Sequence, residues 1–137
     1  MIRSLLIATA CAALSGAALA QDTVPPVRED ANSEPGRVAI LRGLDKVTAR
    51  TRDFEAPVGE TVTFGALDIT VQYCRRRPPE EPPETFVFME VLDRRTDGFG
   101  AEAEGEEIFS GWMFASNPAL NPLEHPVYDV WVIDCRS

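Results

Sequence analysis

Leu67, Ile69, Val71 and Tyr73 alternate with Asp68, Thr70 and Gln72 in the stretch LDITVQYC. A period of two sends the apolar set to one face and the polar set to the other, which is the pattern of a half-buried strand. No segment beyond residue 20 sustains apolar spacing of three and four over three helical turns. Short apolar or alternating runs recur instead between turn residues: Val38 to Leu41, Lys46 to Phe54, Thr61 to Phe64, Leu67 to Cys74, Phe86 to Leu92, Ile108 to Phe114 and Val127 to Asp134. The pair Gly65-Ala66 separates two of these runs and suits a tight hairpin, while Pro57, Val58 and Gly59 mark the corner before it. With 137 residues the chain has room for one core. The expected fold is all-β, a small antiparallel sandwich or partly open barrel of about seven strands in a single domain over residues 37–137.

The N-terminus obeys different rules. Arg3 precedes an apolar run from Leu5 to Leu14, and Ala18, Leu19 and Ala20 supply the small residues of a cleavage site. The run is too short to span a bilayer, so residues 1–20 are expected to be a cleavable signal peptide, cut after Ala20, and the mature chain to have no transmembrane segment. Residues 21–36, rich in Asp, Glu and Pro, are expected to form a disordered tether. Losing Arg3 takes the formal net charge from -9 to about -10. An acidic chain whose one basic cluster, Arg75-Arg76-Arg77, runs straight into Glu80 and Glu81 is poorly suited to nucleic acid.

Cys11 leaves with the signal peptide, so three cysteines become two, Cys74 and Cys135. An even pair in an oxidising compartment is expected to form a disulfide. It would close a loop of roughly 60 residues and be worth roughly 4 kcal/mol. The competing metal or redox reading lacks a CxxC and a histidine-rich neighbourhood, and no cofactor or metal is expected. Both cysteines end their strands, which would staple the last strand to the middle of the chain.

Catalytic leads are sparse. His125 is the only histidine, flanked by Glu124 with Asp129 four residues on, so a hydrolase or metal-dependent enzyme would have to use it. Ser110 and Ser116 are present without a GxSxG nucleophile turn, and no catalytic residue is assigned. The acidic stretch Asp97, Glu102, Glu104, Glu106, Glu107 lacks the ligand order of a calcium loop and is expected to be a solvated connection. In the run RRRPPEEPPE, Pro78 to Pro83 suits either a stiff spacer or a polyproline ligand. The tail SGWMFASNPALNPLEHPVYDVWVIDC has Asn-Pro turns at Asn117 and Asn121 and aromatics expected in the core, with a rigid partner-binding patch as the alternative. Trp112, Asn117, His125 and Trp131 are the candidate partner-binding residues.

The segments LRGLDKVTARTRDFEAPVG, FGALDITVQYC, RPPEEPPETFVFMEV and FSGWMFASNPALNPLEHPVYDVWVIDC together resemble an uncharacterised exported alphaproteobacterial family known as a domain of unknown function. The resemblance covers Arg37 to Cys135 and implies a Gram-negative periplasm, with Cys74 and Cys135 where the family has its cysteines. It implies no activity. The expected function is a non-enzymatic periplasmic binding or scaffolding domain with an envelope protein partner. The alternatives are the His125-dependent enzyme and a protease-inhibitor-like protein presenting its proline-rich loop.

Overall fold

Val87, Met89 and Val91 are fully buried on one side of a strand whose other side carries Phe86, Phe88 and Glu90. That strand is the middle of a two-layer structure. The computed structural model describes residues 32–95 and 105–137. Their strands are β1 (Glu34–Pro35), β2 (Val38–Asp45), β3 (Arg50–Pro57), β4 (Thr61–Phe64), β5 (Leu67–Arg76), β6 (Thr85–Asp93), β7 (Glu106–Phe114) and β8 (Tyr128–Arg136), with a 3-10 turn at Pro118–Leu120. All pairings are antiparallel. One sheet runs β1-β5-β6-β7 with β4 also beside β5, and the second runs β3-β2-β8. The all-β expectation holds, and the open choice between sandwich and barrel resolves to two separate sheets that do not close into a barrel. Among the described residues no helix is long and apolar enough to cross a membrane.

The core lies between the sheets. Leu67, Ile69, Val71, Val87, Met89 and Val91 from one face Ala39, Leu41, Val130 and Val132 from the other, all at 3% exposure or less. The hairpin between β4 and β5 has the expected Gly65-Ala66 connection; Gly65 takes φ +60°, the left-handed region that glycine enters without Cβ strain. Lys46 to Ala49, expected inside a strand, instead form the turn between β2 and β3, because the Asp45 carboxylate accepts the Val47 and Thr48 N–H groups at 2.9 and 3.1 Å.

Two phase shifts govern the disulfide. The register of β5 against β6 slips between Val71 and Tyr73, and that of β8 against β2 slips opposite Ile40 and Leu41, where Ile133 has no partner. Each slip is a bulge that leaves two successive residues on the outer side and turns the next inward. The simple alternation that would bury Tyr73 is therefore wrong: Tyr73 is 59% exposed and Cys74 2%. Val132 and Cys135 repeat the same three-residue step in β8. Cys74 and Cys135 thus meet inside the sandwich and are bonded, Cα to Cα 5.9 Å, joining the two sheets directly.

The tether expectation fails at its C-terminal end. Residues 32–36 are packed on the fold: β1 pairs with Arg75 and Arg76, the Gly36 N–H donates to the Cys74 carbonyl at 2.8 Å, and the Arg37 N–H donates to the Arg136 carbonyl at 2.7 Å. The backbone therefore crosses from one sheet to the other over the disulfide, and a Cβ on Gly36 would stand 2.2 Å from the Cys135 sulfur. Composition alone missed this strand because hydrogen bonding to β5 and the contact of glycine with sulfur are tertiary. The segment expected to be a signal peptide (residues 1–20), residues 21–31, and residues 96–104 of the acidic connection lie outside the described residues.

Candidate functional site

The sequence-predicted candidates fall in four places. His125 is buried, with its side chain only 1% exposed. Its Nδ1 accepts the Val127 and Tyr128 N–H groups at 3.1 and 2.9 Å, which fixes the tautomer with hydrogen on Nε2, and that nitrogen lies 3.1 Å from Asp93 Oδ2. The ring also stacks on Tyr128 with centroids 5.3 Å apart. Both ring nitrogens are thus committed to holding the long β7–β8 connection against the end of β6.

The carboxylates that the sequence placed near His125 serve elsewhere. Asp129 pairs with Lys46 at 2.9 Å, and Glu124 is exposed. The true partner, Asp93, lies 32 residues away, and no local signal marks it. Burial pushes the Asp93 carboxyl up, but hydrogen bonds from the Arg95 backbone and guanidinium and from His125 outweigh it and hold it below the ordinary carboxylate range. Among the described residues no group of three or more His, Cys, Asp or Glu side chains stands close enough to hold a metal ion.

Trp131 lies on the outer face of the three-stranded sheet, opposite Arg42 in register and between the inward Val130 and Val132. That face is polar. Arg42 there binds Asp53 with Nη2 at 2.8 Å, and this hydrogen bond holds the Asp53 carboxyl below its usual range. Asn117 is exposed and opens the 3-10 turn, its carbonyl accepting the Leu120 N–H at 3.1 Å. Trp112 belongs to the other sheet. The four candidates are not brought together.

Trp112 instead organises a cluster of aromatic rings on the outer face of the five-stranded sheet. Register places Tyr73, Phe88 and Trp112 side by side across β5, β6 and β7, and Arg75, Phe86 and Phe114 in the next outward row. Trp112 contacts Phe88 at 5.4 Å edge to face, Phe86 at 5.8 Å and Tyr73 at 6.2 Å, the last pair near-parallel at 24°. Phe86 also meets Phe114 at 6.3 Å, and Tyr73 meets Phe88 at 6.5 Å. Each such pair is worth about 0.5–1.5 kcal/mol beyond its area, so the rings hold one another rigid.

Neither core nor ordinary surface describes this cluster. Phe86, Phe88, Trp112 and Phe114 are half-buried by each other, and Tyr73 stands out into solvent. The expectation that the tail aromatics fill the core fails for Trp112 and Phe114, whose strand neighbour Met113 is the inward residue, at 2% exposure. Asn121 buttresses the edge by donating to the Trp112 carbonyl at 3.0 Å, and the 3-10 turn beside it exposes Leu120. Of these rings only Trp112 was expected from the sequence as a candidate partner-binding residue. The signal was in the sequence, since FVFM in β6 is apolar on both faces, which a sheet with a wet outer side does not require.

Two open clefts of about 400 and 410 Å³ lie away from the rings. The first is walled by Pro79, Glu84, Ser116 and Asp134 under the proline-rich loop, the second by Arg50, Arg52, Phe64 and Tyr128. The proline-rich loop itself is tied, its Arg77 N–H donating to the Glu84 carbonyl at 2.9 Å.

Comparison with known proteins places the chain among bacterial relatives. It is similar to the uncharacterized protein RP359 of Rickettsia prowazekii (strain Madrid E), 26% identical over 92 residues that cover 67% of this chain and 56% of that protein. The chain thus spans little more than half the length of that relative. No solved structure matches it. The profile of a family described as an uncharacterized protein conserved in bacteria matches residues 39–135, from β2 through the second cysteine and across the aromatic face. In agreement with the resemblance carried by its sequence segments, the chain belongs to that family, DUF2155.

Proposed function

We propose that the chain is a non-enzymatic binding domain of the Gram-negative envelope, exported to the periplasm, that docks on a protein partner through the aromatic face of its five-stranded sheet. One observation carries the reading. Five aromatic rings occupy the solvent side of β5, β6 and β7, where an antiparallel sheet with one wet face needs polar residues. Rigid aromatic surface of this kind is enriched at the centre of protein interfaces, because it offers large contact area with little side-chain entropy to lose. The commitment of both His125 nitrogens to the fold favours binding over catalysis at that residue.

The experiment is cross-linked capture from the periplasmic fraction, followed by reconstitution with the purified partner. Wild type and Trp131→Ala should retain the partner, while Trp112→Ala and Tyr73→Ala should weaken binding at least tenfold, as loss of a central aromatic does. Equal affinity of all four proteins would overturn the reading. N-terminal sequencing of the same material should begin at Gln21, and an uncleaved or cytoplasmic chain would remove the envelope part.

A further inference from the structure

The inner face of the three-stranded sheet changes character toward one end. On β3 the core-facing positions are Ala56, Phe54, Arg52 and Arg50, since they pair in turn with Ala39, Leu41, Gly43 and Asp45 of β2. The last two rows continue onto Val130 and Tyr128 of β8. Two arginines thus take positions that the rest of the strand gives to core residues. β3 is an outer strand, and one inward charge is enough to keep such an edge from pairing with another chain. Two on successive rows need a further reason.

Gly43 leaves room for the ring of Phe64, reaching across from β4; a Cβ at Gly43 would collide with it. The Arg52 guanidinium lies 5.2 Å from the centroid of that ring and 6.0 Å from Phe54, the two rings themselves stacking at 5.3 Å. Tyr128 meets Phe64 edge-on at 5.7 Å. These groups line the open cleft of about 410 Å³ between the sheets at this end. Arg42, Arg76, Arg94, Arg95 and Arg136 each reach a carboxylate, whereas Arg52 reaches none among the described residues. Asp45 accepts the Val47 and Thr48 N–H groups and lies opposite Arg50. Two arginines against one aspartate leave the cleft a single positive charge, in a chain whose net charge is -9.

The geometry points to a binding site for a carboxylate that carries an apolar or aromatic group, its oxygens between the Arg50 and Arg52 guanidiniums and its apolar part against Phe64 and Tyr128. Alternate residues of a strand stand about 7 Å apart on one face, so the two guanidiniums can converge on one oxyanion. Their planar forks match a carboxylate, and the ring under Arg52 orients its fork in advance. One net positive charge balances a carboxylate, whereas a phosphate dianion would leave charge uncompensated against an apolar floor. The volume is that of a small-molecule site and exceeds what a bare oxyanion fills. This site is separate from the aromatic face, which lies on the outer side of the other sheet.

The test follows backbone amide resonances of the full, isotope-labelled chain. Phenylpropionate should shift the amides of Arg52, Gly65 and Tyr128 saturably, while phenylpropionamide, uncharged and of the same shape, should not. Arg52→Met keeps an apolar stem on Phe64 and should weaken binding about tenfold, as loss of a charge-assisted hydrogen bond does. Tyr128→Phe keeps the ring that stacks on His125, removes a hydroxyl donor and should weaken binding severalfold. Arg136→Met, at the far end of β8, should leave affinity unchanged. Acetyl-alanyl-phenylalanine binding more tightly than phenylpropionate assigns the natural ligand to a polypeptide C-terminus, and the reverse order to a free acid; both support the site. Equal shifts from acid and amide, tighter binding of inorganic phosphate, or unchanged affinity in Arg52→Met and Tyr128→Phe alike overturns it.

Discussion

Reducing the Cys74–Cys135 bond should destabilise the domain by about 4 kcal/mol, because the bridge closes 61 residues and its loss frees that loop in the unfolded chain. Two structural facts keep native-state losses small beside that figure. Both cysteines are buried among apolar neighbours that tolerate a thiol, and Cys74 Sγ already lies 3.7 Å from the Val38 carbonyl, where a reduced thiol could donate. A domain of this size has about 5–15 kcal/mol in all, so the reduced protein should stay folded at 25 °C with most of its margin gone. Urea titrations with and without reductant, followed by tryptophan fluorescence, are the assay. With a urea slope of about 1.3 kcal/mol/M the midpoint should fall by about 3 M, each curve being fitted with its own slope because the reduced unfolded chain is more expanded. Cys74→Ala/Cys135→Ala should reproduce the shift and be insensitive to reductant. A loss below about 1 kcal/mol in both experiments would refute the loop-entropy reasoning and assign the joining of the sheets to the core alone.

Two further outcomes follow from the end of the sandwich held by His125. The folded Asp93 carboxyl sits below the ordinary value of about 3.9, so below that pH the unfolded state binds more protons and stability is lost as pH falls through the folded value. Melting temperature against pH should therefore drop steeply below about pH 4 in wild type and less steeply in Asp93→Asn, and parallel profiles would exclude Asp93 as the titrating group. Gly65→Ala should destabilise by about 3 kcal/mol, since a Cβ there forces left-handed alanine and must also displace the Tyr128 ring. That Cβ would stand 2.4 Å from the ring, which is stacked on His125 and edge-on to Phe64. Chemical denaturation measures the loss, and a change under 1 kcal/mol would show that the ring moves without consequence.

Strand positions were legible because they are local. The alternation of β5 and the hairpin at Gly65-Ala66 depend on neighbours in sequence, and the structure has them where the pattern put them. β1 was illegible because two residues, Glu34 and Pro35, carry no period and become a strand only against Arg75 and Arg76. Asp93 escaped as the partner of His125 for the same reason, its contact spanning 32 residues with the chain between them folded back. Tyr73 is a different failure. Val71 to Cys74 is an odd step, and two residues an odd number apart on one regular strand cannot share a face. Once the disulfide is expected, Cys74 must point inward with Val71, and the parity conflict itself announces a bulge between them.

The parity of β6 likewise dictates the aromatic face. Phe86, Val87, Phe88 and Met89 are apolar without interruption, and only one of the two alternating sets can face the other sheet. The smaller set, Val87, Met89 and Val91, pairs in register with Cys74, Val71 and Ile69, so the disulfide fixes it as the inner one. Phe86 and Phe88 are then forced outward, and their partners Phe114, Trp112 and Tyr73 with them. The disulfide and the aromatic surface are consequently two readings of one register. A one-residue slip that exposed Cys74 would bury the rings, whose volume the space filled by valine and methionine does not accommodate. The bulge at Gln72 lets β5 satisfy both demands, presenting Tyr73 outward and Cys74 inward at adjacent positions.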